Sequence, residues 1–117
     1  MKGYHLYQSC IEACLRCSAI CRHCASSCLE EKNVQMMTGC IQLDMECAAI
    51  CSATAEVLSL GGSQAKALAM ICATICDACS LECAKHDNWH CRECSDICHN
   101  CANQCRDLPV EAVHVNR

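Results

Sequence analysis

Cys10, Cys14, Cys17, Cys21, Cys24 and Cys28 follow one another at intervals of four, three, four, three and four residues. That spacing keeps side chains on one face of a helix, so six thiols form a stripe where a bundle helix normally carries leucine. The rhythm returns at Cys47 and Cys51, at Cys72, Cys76, Cys79 and Cys83, and at Cys91, Cys94, Cys98, Cys101 and Cys105, with Cys40 one heptad ahead of Cys47. Thiolates are soft metal ligands. A core built from them points to metal chemistry inside the fold.

Eight CxxxC pairs lie in this pattern, beginning at Cys10, Cys17, Cys24, Cys47, Cys72, Cys79, Cys94 and Cys101. Side chains at i and i+4 stand about 6 Å apart at Cβ, and χ1 rotation brings two sulfurs within reach of one ion. Two thiolates per ion suits Cu(I), which is soft and accepts low coordination numbers. Zinc asks for four tetrahedral ligands, which a straight helix presents badly. The C-x-x-C intervals, such as Cys14/Cys17 or Cys91/Cys94, follow automatically from the three-four alternation. They carry no separate signal for an iron–sulfur cluster or a thioredoxin-like redox site. Core filling by a small hydrophobe would account for one or two buried cysteines. It does not account for eighteen, because alanine or leucine would fill the space without the oxidation hazard.

Composition agrees. Cysteine makes up 18 of 117 residues, phenylalanine is absent, and one tryptophan with two tyrosines supplies little aromatic bulk. Thiols must therefore do much of the filling. Such cysteine content ordinarily marks a secreted disulfide scaffold. Here the N-terminus, Met1-Lys2-Gly3-Tyr4-His5, carries no apolar export segment, which predicts the reducing cytoplasm. The thiols also lie regularly on helix formers, and neighbours on one helix point in similar directions, unlike the crossed geometry of a disulfide. A net charge of −4 with scattered Lys and Arg offers no nucleic-acid footprint. No apolar run reaches the roughly 18–20 residues of a membrane span. Ionised thiols would add greatly to the negative charge, so metal uptake should release protons.

Four elements must position these residues. Helical patterning runs over about 4–31, 34–60, 64–85 and 89–107. It is broken at Lys32-Asn33, at Gly61-Gly62 and at His86-Asp87-Asn88, and Pro109 follows the last element. Asn33, Ser63 and Asp87 or Asn88 are the expected N-caps. Short loops predict an all-α, antiparallel, up-down-up-down four-helix bundle, a single domain over 1–117 with a tail at 108–117. Folding the hairpins places Cys24 near Cys40, Cys17 near Cys47, Cys14 near Cys51, Cys83 near Cys91 and Cys76 near Cys98. The sulfurs then line one lumen.

The two ends of that lumen differ. Val57, Leu58, Leu60, Leu68 and Met70 with Ala55, Ala65 and Ala69 predict a closed apolar plug. The other end gathers Met36, Met37, His86, Trp89 and His90 beside Cys28, Cys83 and Cys91, and is the expected metal entrance. There His86, His90, Met36 and Met37 are candidate ligands, and Trp89 is expected to cover the bundle end. Asp44 interrupts the thiol stripe between Cys40 and Cys47, as a metal contact, a helper in deprotonating thiols, or a carboxyl bonded to a neighbour. His5, His23, His99 and His114 are expected off the array. Met45 and Met70 are read as packing residues.

A cysteine-lined bundle with repeated CxxxC resembles the bacterial copper storage proteins of the cytosolic branch, over about residues 4–107. The resemblance implies many Cu(I) ions held along the core by paired thiolates, association as homotetramers, and loading at an open end assisted by His or Met. It implies no enzyme activity. The sequence offers no nucleophile–base pair, phosphate loop or carboxylate dyad that would argue for one, and it names neither a copper donor nor an acceptor. The competing reading is a zinc or mixed-metal thiolate buffer resembling metallothionein.

Overall fold

The computed structural model describes residues 2–109, so the tail beyond Pro109, including His114, lies outside the described residues. A one-turn helix α1 (Gly3–Leu6) leads into α2 (Gln8–Leu29). A 3-10 turn at Val34–Met37 opens α3 (Thr38–Leu60), and α4 (Ala65–Cys83) and α5 (Trp89–Arg106) complete the chain. Helix α2 packs on α3 and α5, and α4 packs on the same two helices. Consecutive helices joined by short loops run antiparallel, and the α2–α5 contact closes the ring, so the up-down-up-down bundle stands.

The boundaries differ from expectation where backbone geometry decides. The first helix is not continuous from residue 4: Tyr7, at φ −108° and ψ 20°, separates α1 from α2. This bend seats α1 across the far end of α3. Gly3 lies so close to the Leu58 carbonyl and the Gly61 nitrogen that a Cβ there would collide with both. Gly61 ends α3 in the left-handed conformation (φ 69°), its N–H donating to Leu58 O at 3.0 Å and Val57 O at 3.2 Å. Glycine adopts that backbone without steric penalty. Gln64, not Ser63, occupies the N-cap of α4, and among the described residues no helix is capped by a side-chain hydrogen bond. Backbone carbonyls do that work instead, as where Ile11 N–H donates to Tyr7 O at 2.9 Å and Cys91 N–H to Asn88 O at 3.0 Å.

Outside the lumen, serine joins each hairpin. Ser18 Oγ donates to Ala48 O (3.1 Å) and meets Ser52 Oγ (2.7 Å), with Arg22 closing on Ser18. Ser80 and Ser95 each donate to the other's carbonyl at 2.9 Å. Small hydroxyls let the backbones approach closely, which brings the thiols of facing helices together.

Candidate metal centre

All eighteen cysteines are buried and unpaired by disulfides. The helical stripe does what the spacing requires of it. In six of the eight CxxxC pairs the sulfurs lie 3.8–4.0 Å apart. Facing helices interleave at the same distances: Cys17–Cys47 at 3.8 Å, Cys24–Cys40 at 3.9 Å, Cys51–Cys72 at 3.7 Å and Cys10–Cys105 at 3.6 Å. Cys14 and Cys51 share a quartet with Cys72 and Cys101 whose sulfurs lie within 4.8 Å of one another. Contacts in the second half run through α3, with Cys76 and Cys98 meeting on Cys47 (3.6 and 3.9 Å) and Cys83 and Cys91 meeting on Cys40 (3.1 and 3.9 Å).

Asp44 is fully buried in this lumen. Its Oδ1 accepts from Cys79 and Cys94 at 3.2 Å and from Cys83 at 3.5 Å, while Oδ2 lies 3.6 Å from Cys40 Sγ. Burial, followed by the charges of Cys94, Cys79 and Cys40, pushes its carboxyl up from 3.8 to about 11. A neutral acid is what a carboxyl becomes when it is taken out of water without a cation. Across the lumen the thiols divide in the same manner. Hydrogen bonding pushes Cys51, Cys83 and Cys98 up, through Cys101, Cys24 and Cys17 respectively. It draws Cys17 and Cys72 down through Cys101, and Cys79 and Cys94 down through Cys21. Cys40, held chiefly by Cys24 and Cys83, falls to about 3. A bound cation would remove the need for protons at all of these positions.

At the end formed by the first and third loops, His90 turns Nδ1 toward Cys24 (3.4 Å), Cys91 (3.5 Å) and Cys28 (3.9 Å). On its outer side Nε2–H donates to Glu31 Oε2 at 2.8 Å. That bond holds the Glu31 carboxyl below the ordinary carboxylate range, so the carboxylate is the acceptor and the ring proton sits on Nε2. In the neutral ring, donation from Nε2 leaves the Nδ1 lone pair aimed at three thiols, the arrangement in which a carboxylate orients a metal-binding histidine. Burial, then the charge of Cys40, raises Cys91 to about 12.

The other candidates separate. Met37 is fully buried in the core cluster. Met36 is 72% exposed, its sulfur facing Asn33 Nδ2. His86 sits beside Glu82, Nε2 to Oε2 3.5 Å, in a half-buried position on the rim. Trp89 does not cover the bundle end: it is 72% exposed and lines a surface cavity with Arg16 and Arg92. Met45 and Met70 point outward as well, because cysteine fills the inward stripe and leaves no core position for them. His5, His23 and His99 are exposed.

Two residues carry roles that the sequence does not reveal. Glu31 orients His90, a role that depends on a contact across 59 residues of chain. Thr54 is fully buried, and among the described residues its Oγ1 has no hydrogen-bond partner. Its position three after Cys51 continues the lumen stripe, and that spacing is the one signal of it in the chain.

Quartets whose sulfurs all lie within 4.8 Å include Cys24-Cys28-Cys40-Cys91, Cys17-Cys21-Cys47-Cys98 and Cys21-Cys79-Cys94-Cys98. The last two share Cys21 and Cys98, so the sites are fused and not separate. With metal–thiolate bonds of about 2.3 Å, sulfurs 3.9 Å apart subtend about 115°, and a linear pair needs them about 4.6 Å apart. Three-coordinate binding needs no movement, and two-coordinate binding needs a small χ1 adjustment. Independent tetrahedra would use eighteen thiols for at most about four ions; bridging thiolates hold many more.

Comparison with known proteins converges on this chemistry. Residues 4–109 match the family model described as copper storage protein. The uncharacterized cysteine-rich protein YhjQ of Bacillus subtilis (strain 168) is 44% identical over 101 residues, 86% of this chain and 94% of that protein. The Cu(I)-bound copper storage protein BsCsp3 superposes with a TM-score of 0.84 at 43% identity, covering 88% of this chain and 97% of that one. A cytosolic copper storage protein from Streptomyces lividans, carrying five coppers, superposes with a TM-score of 0.86 at 42% identity, covering 91% and 93%.

Proposed function

We propose the following from the premise that this chain belongs to the copper storage protein family. Copper storage is its function, and Cu(I) is its cargo. Within that function, all eighteen cysteines act as ligands, as terminal or bridging thiolates, with Asp44 and the Nδ1 of His90 completing sites at the middle and at one end. The observation that carries this reading is the continuity of the sulfur array: the quartets are buried, and they share members. A protein needing one catalytic or structural ion would have no use for fused sites. Zinc would require four thiolates around each ion and so would load fewer ions per thiol than Cu(I).

His90 is the first ligand that an ion meets at the loop 30–37 end, and Glu31 holds it in the receptive tautomer. Met37 and His86 support that rim by packing and by the Glu82 contact, and Met36 stands outside the ligand set. Residues 2–109 form one domain, located in the cytosol like the Streptomyces lividans neighbour by its name, and it works as a store, with no reaction catalysed. Association into homotetramers is supported by apolar side chains left outside the bundle, among them Leu15, Leu81 and the adjacent Met70 and Ile71.

Anaerobic titration of the reduced protein with Cu(I), followed by the thiolate-to-copper absorbance and by bound-metal analysis, should saturate near the thiol count, with protons released as copper enters. Saturation at only a few ions would sink the reading.

A further inference from the structure

The apolar plug closes the axis of the lumen, but it does not close the side. A cavity of about 240 Å3 lies where α1 and the start of α2 meet the end of α5, lined by Leu6, Tyr7, Ser9, Cys10, Gln104 and Asp107 among others. One array cysteine, Cys10, forms part of its wall. Cys10 and Cys105 are 2% and 1% exposed, whereas the other sixteen cysteines, including Cys28 and Cys91 at the opposite end, are 0% exposed. At the His90 end an imidazole stands between water and sulfur; at this end the cavity wall includes the sulfur-bearing residue itself.

The two thiols behind the cavity belong to the array. Cys10 Sγ lies 3.6 Å from Cys105, Cys105 3.8 Å from Cys14, Cys14 3.8 Å from Cys101, and Cys101 3.9 Å from Cys51. From Cys51 the contacts continue to Cys47 and Cys76 at 3.9 and 3.6 Å. An ion at Cys10 is therefore connected, one sulfur at a time, with the middle of the bundle.

We propose that this lateral window is a second port, through which a low-molecular-weight thiol removes Cu(I) by ligand exchange at Cys10 and Cys105. It rests on the copper-storage reading. The step involves no electron transfer. An incoming RSH gives its proton to the departing Cys10 sulfur as a Cu–S(Cys10) bond breaks and a Cu–SR bond forms. A second RSH does the same at Cys105, so that the bis-thiolate anion Cu(SR)2 leaves and two neutral cysteines remain. The cavity is smaller than the about 300 Å3 at which small-molecule pockets begin, so a thiol of few heavy atoms fits and a folded acceptor domain does not. Asp107 at its edge selects by charge: a thiol carrying an amine is favoured over one carrying a carboxylate.

The test is the rate at which fully loaded protein gives up copper anaerobically to excess cysteamine or thioglycolate, after its copper content has been measured. Gln104→Trp fills the mouth and keeps all eighteen thiols. It should slow unloading by cysteamine about tenfold, as expected of a gated step, with the copper content unchanged. Asp107→Asn should shift the cysteamine-to-thioglycolate rate ratio toward thioglycolate by up to about thirtyfold, one unit charge at contact distance in water being worth about fivefold for each thiol. Wild-type rates in Gln104→Trp, or an unchanged ratio in Asp107→Asn, would overturn the port. A low copper content before unloading begins would overturn the storage reading instead.

Discussion

The two ends of the lumen solve opposite problems with the same helices. At the end near the first and third loops, three of the nearest thiols stand behind His90, and a Glu31 carboxylate fixes the ring. At the other end Leu58, Tyr7, Ala65 and Ala69 are packed dry, and α1 is folded over them through the Gly3–Gly61 contact. A polar, oriented ligand suits capture of an ion from water. An apolar plug suits stability, since a bundle whose core is mostly thiol has little other hydrocarbon to bury. The difference teaches that this chain places its folding energy and its chemistry at different heights along one bundle. Asp44 stands between the two ends.

Breaking the plug should produce the largest effect. Leu58→Ala leaves a cavity in a fully buried site and should lower the unfolding free energy of the apo protein by about 2–5 kcal/mol, measured by denaturant titration. Copper loading should recover part of that loss, because ions bind the pre-arranged thiols of the folded state more tightly than those of the unfolded chain. A cost under about 1 kcal/mol would show that the plug does not carry the fold.

Next in size is Asp44→Asn. The folded-state pKa of Asp44, about 11, lies above its ordinary 3.8, so the native protein holds a proton that the unfolded chain gives up. The stabilising contribution is fully present below about pH 4 and is lost as pH rises toward 11. Apo protein should therefore weaken with rising pH over that window, at up to about 1.4 kcal/mol per unit for this one group. Asparagine lacks the proton, so the variant should overtake the wild type as pH rises. Parallel stability curves for the two proteins between pH 5 and 8 would remove Asp44 from this role.

Thr54→Val tests the boundary between plug and array. The hydroxyl is buried without a partner among the described residues, and valine has nearly its shape. The variant should stabilise apo protein by about 1 kcal/mol, visible as a higher denaturation midpoint. Destabilisation would mean that the hydroxyl is satisfied in solution.

Smallest for stability, but specific to the His90 end, is Glu31→Gln. Apo stability should barely change, as for an ion pair in contact with solvent. Early Cu(I) uptake in stopped-flow should slow, while final stoichiometry stays the same. Unchanged uptake would separate the tautomer from loading.

Much of this architecture is legible in the order of residues alone. The three-four spacing of the thiols dictates a continuous stripe on each helix, because 3.6 residues per turn admits no other surface for it. Gly61 stops α3 as its freedom at positive φ requires, and Asp44 stands out by lying on the stripe. What the spacing could not supply is anything set by contacts distant in sequence. Met36 and Met37 are adjacent in the 3-10 turn, yet one is exposed and the other buried, because the way the turn sits on the bundle decides which of the two faces inward. Trp89 lies next to His90, and only packing decides that the histidine turns inward. Tyr7 interrupts a continuous helical pattern, and the bend lays α1 over Gly61.

By itself, then, the amino-acid order determined the four-helix lumen, its lining of soft ligands and hence the kind of ion it takes, since periodicity and ligand type are local properties of the chain. The tertiary structure alone decided which sulfurs face one another, that Glu31 sets the tautomer of His90, and that the apolar end keeps a side window at Cys10. Each of these depends on the relative height and rotation of helices, which packing sets and no local pattern encodes.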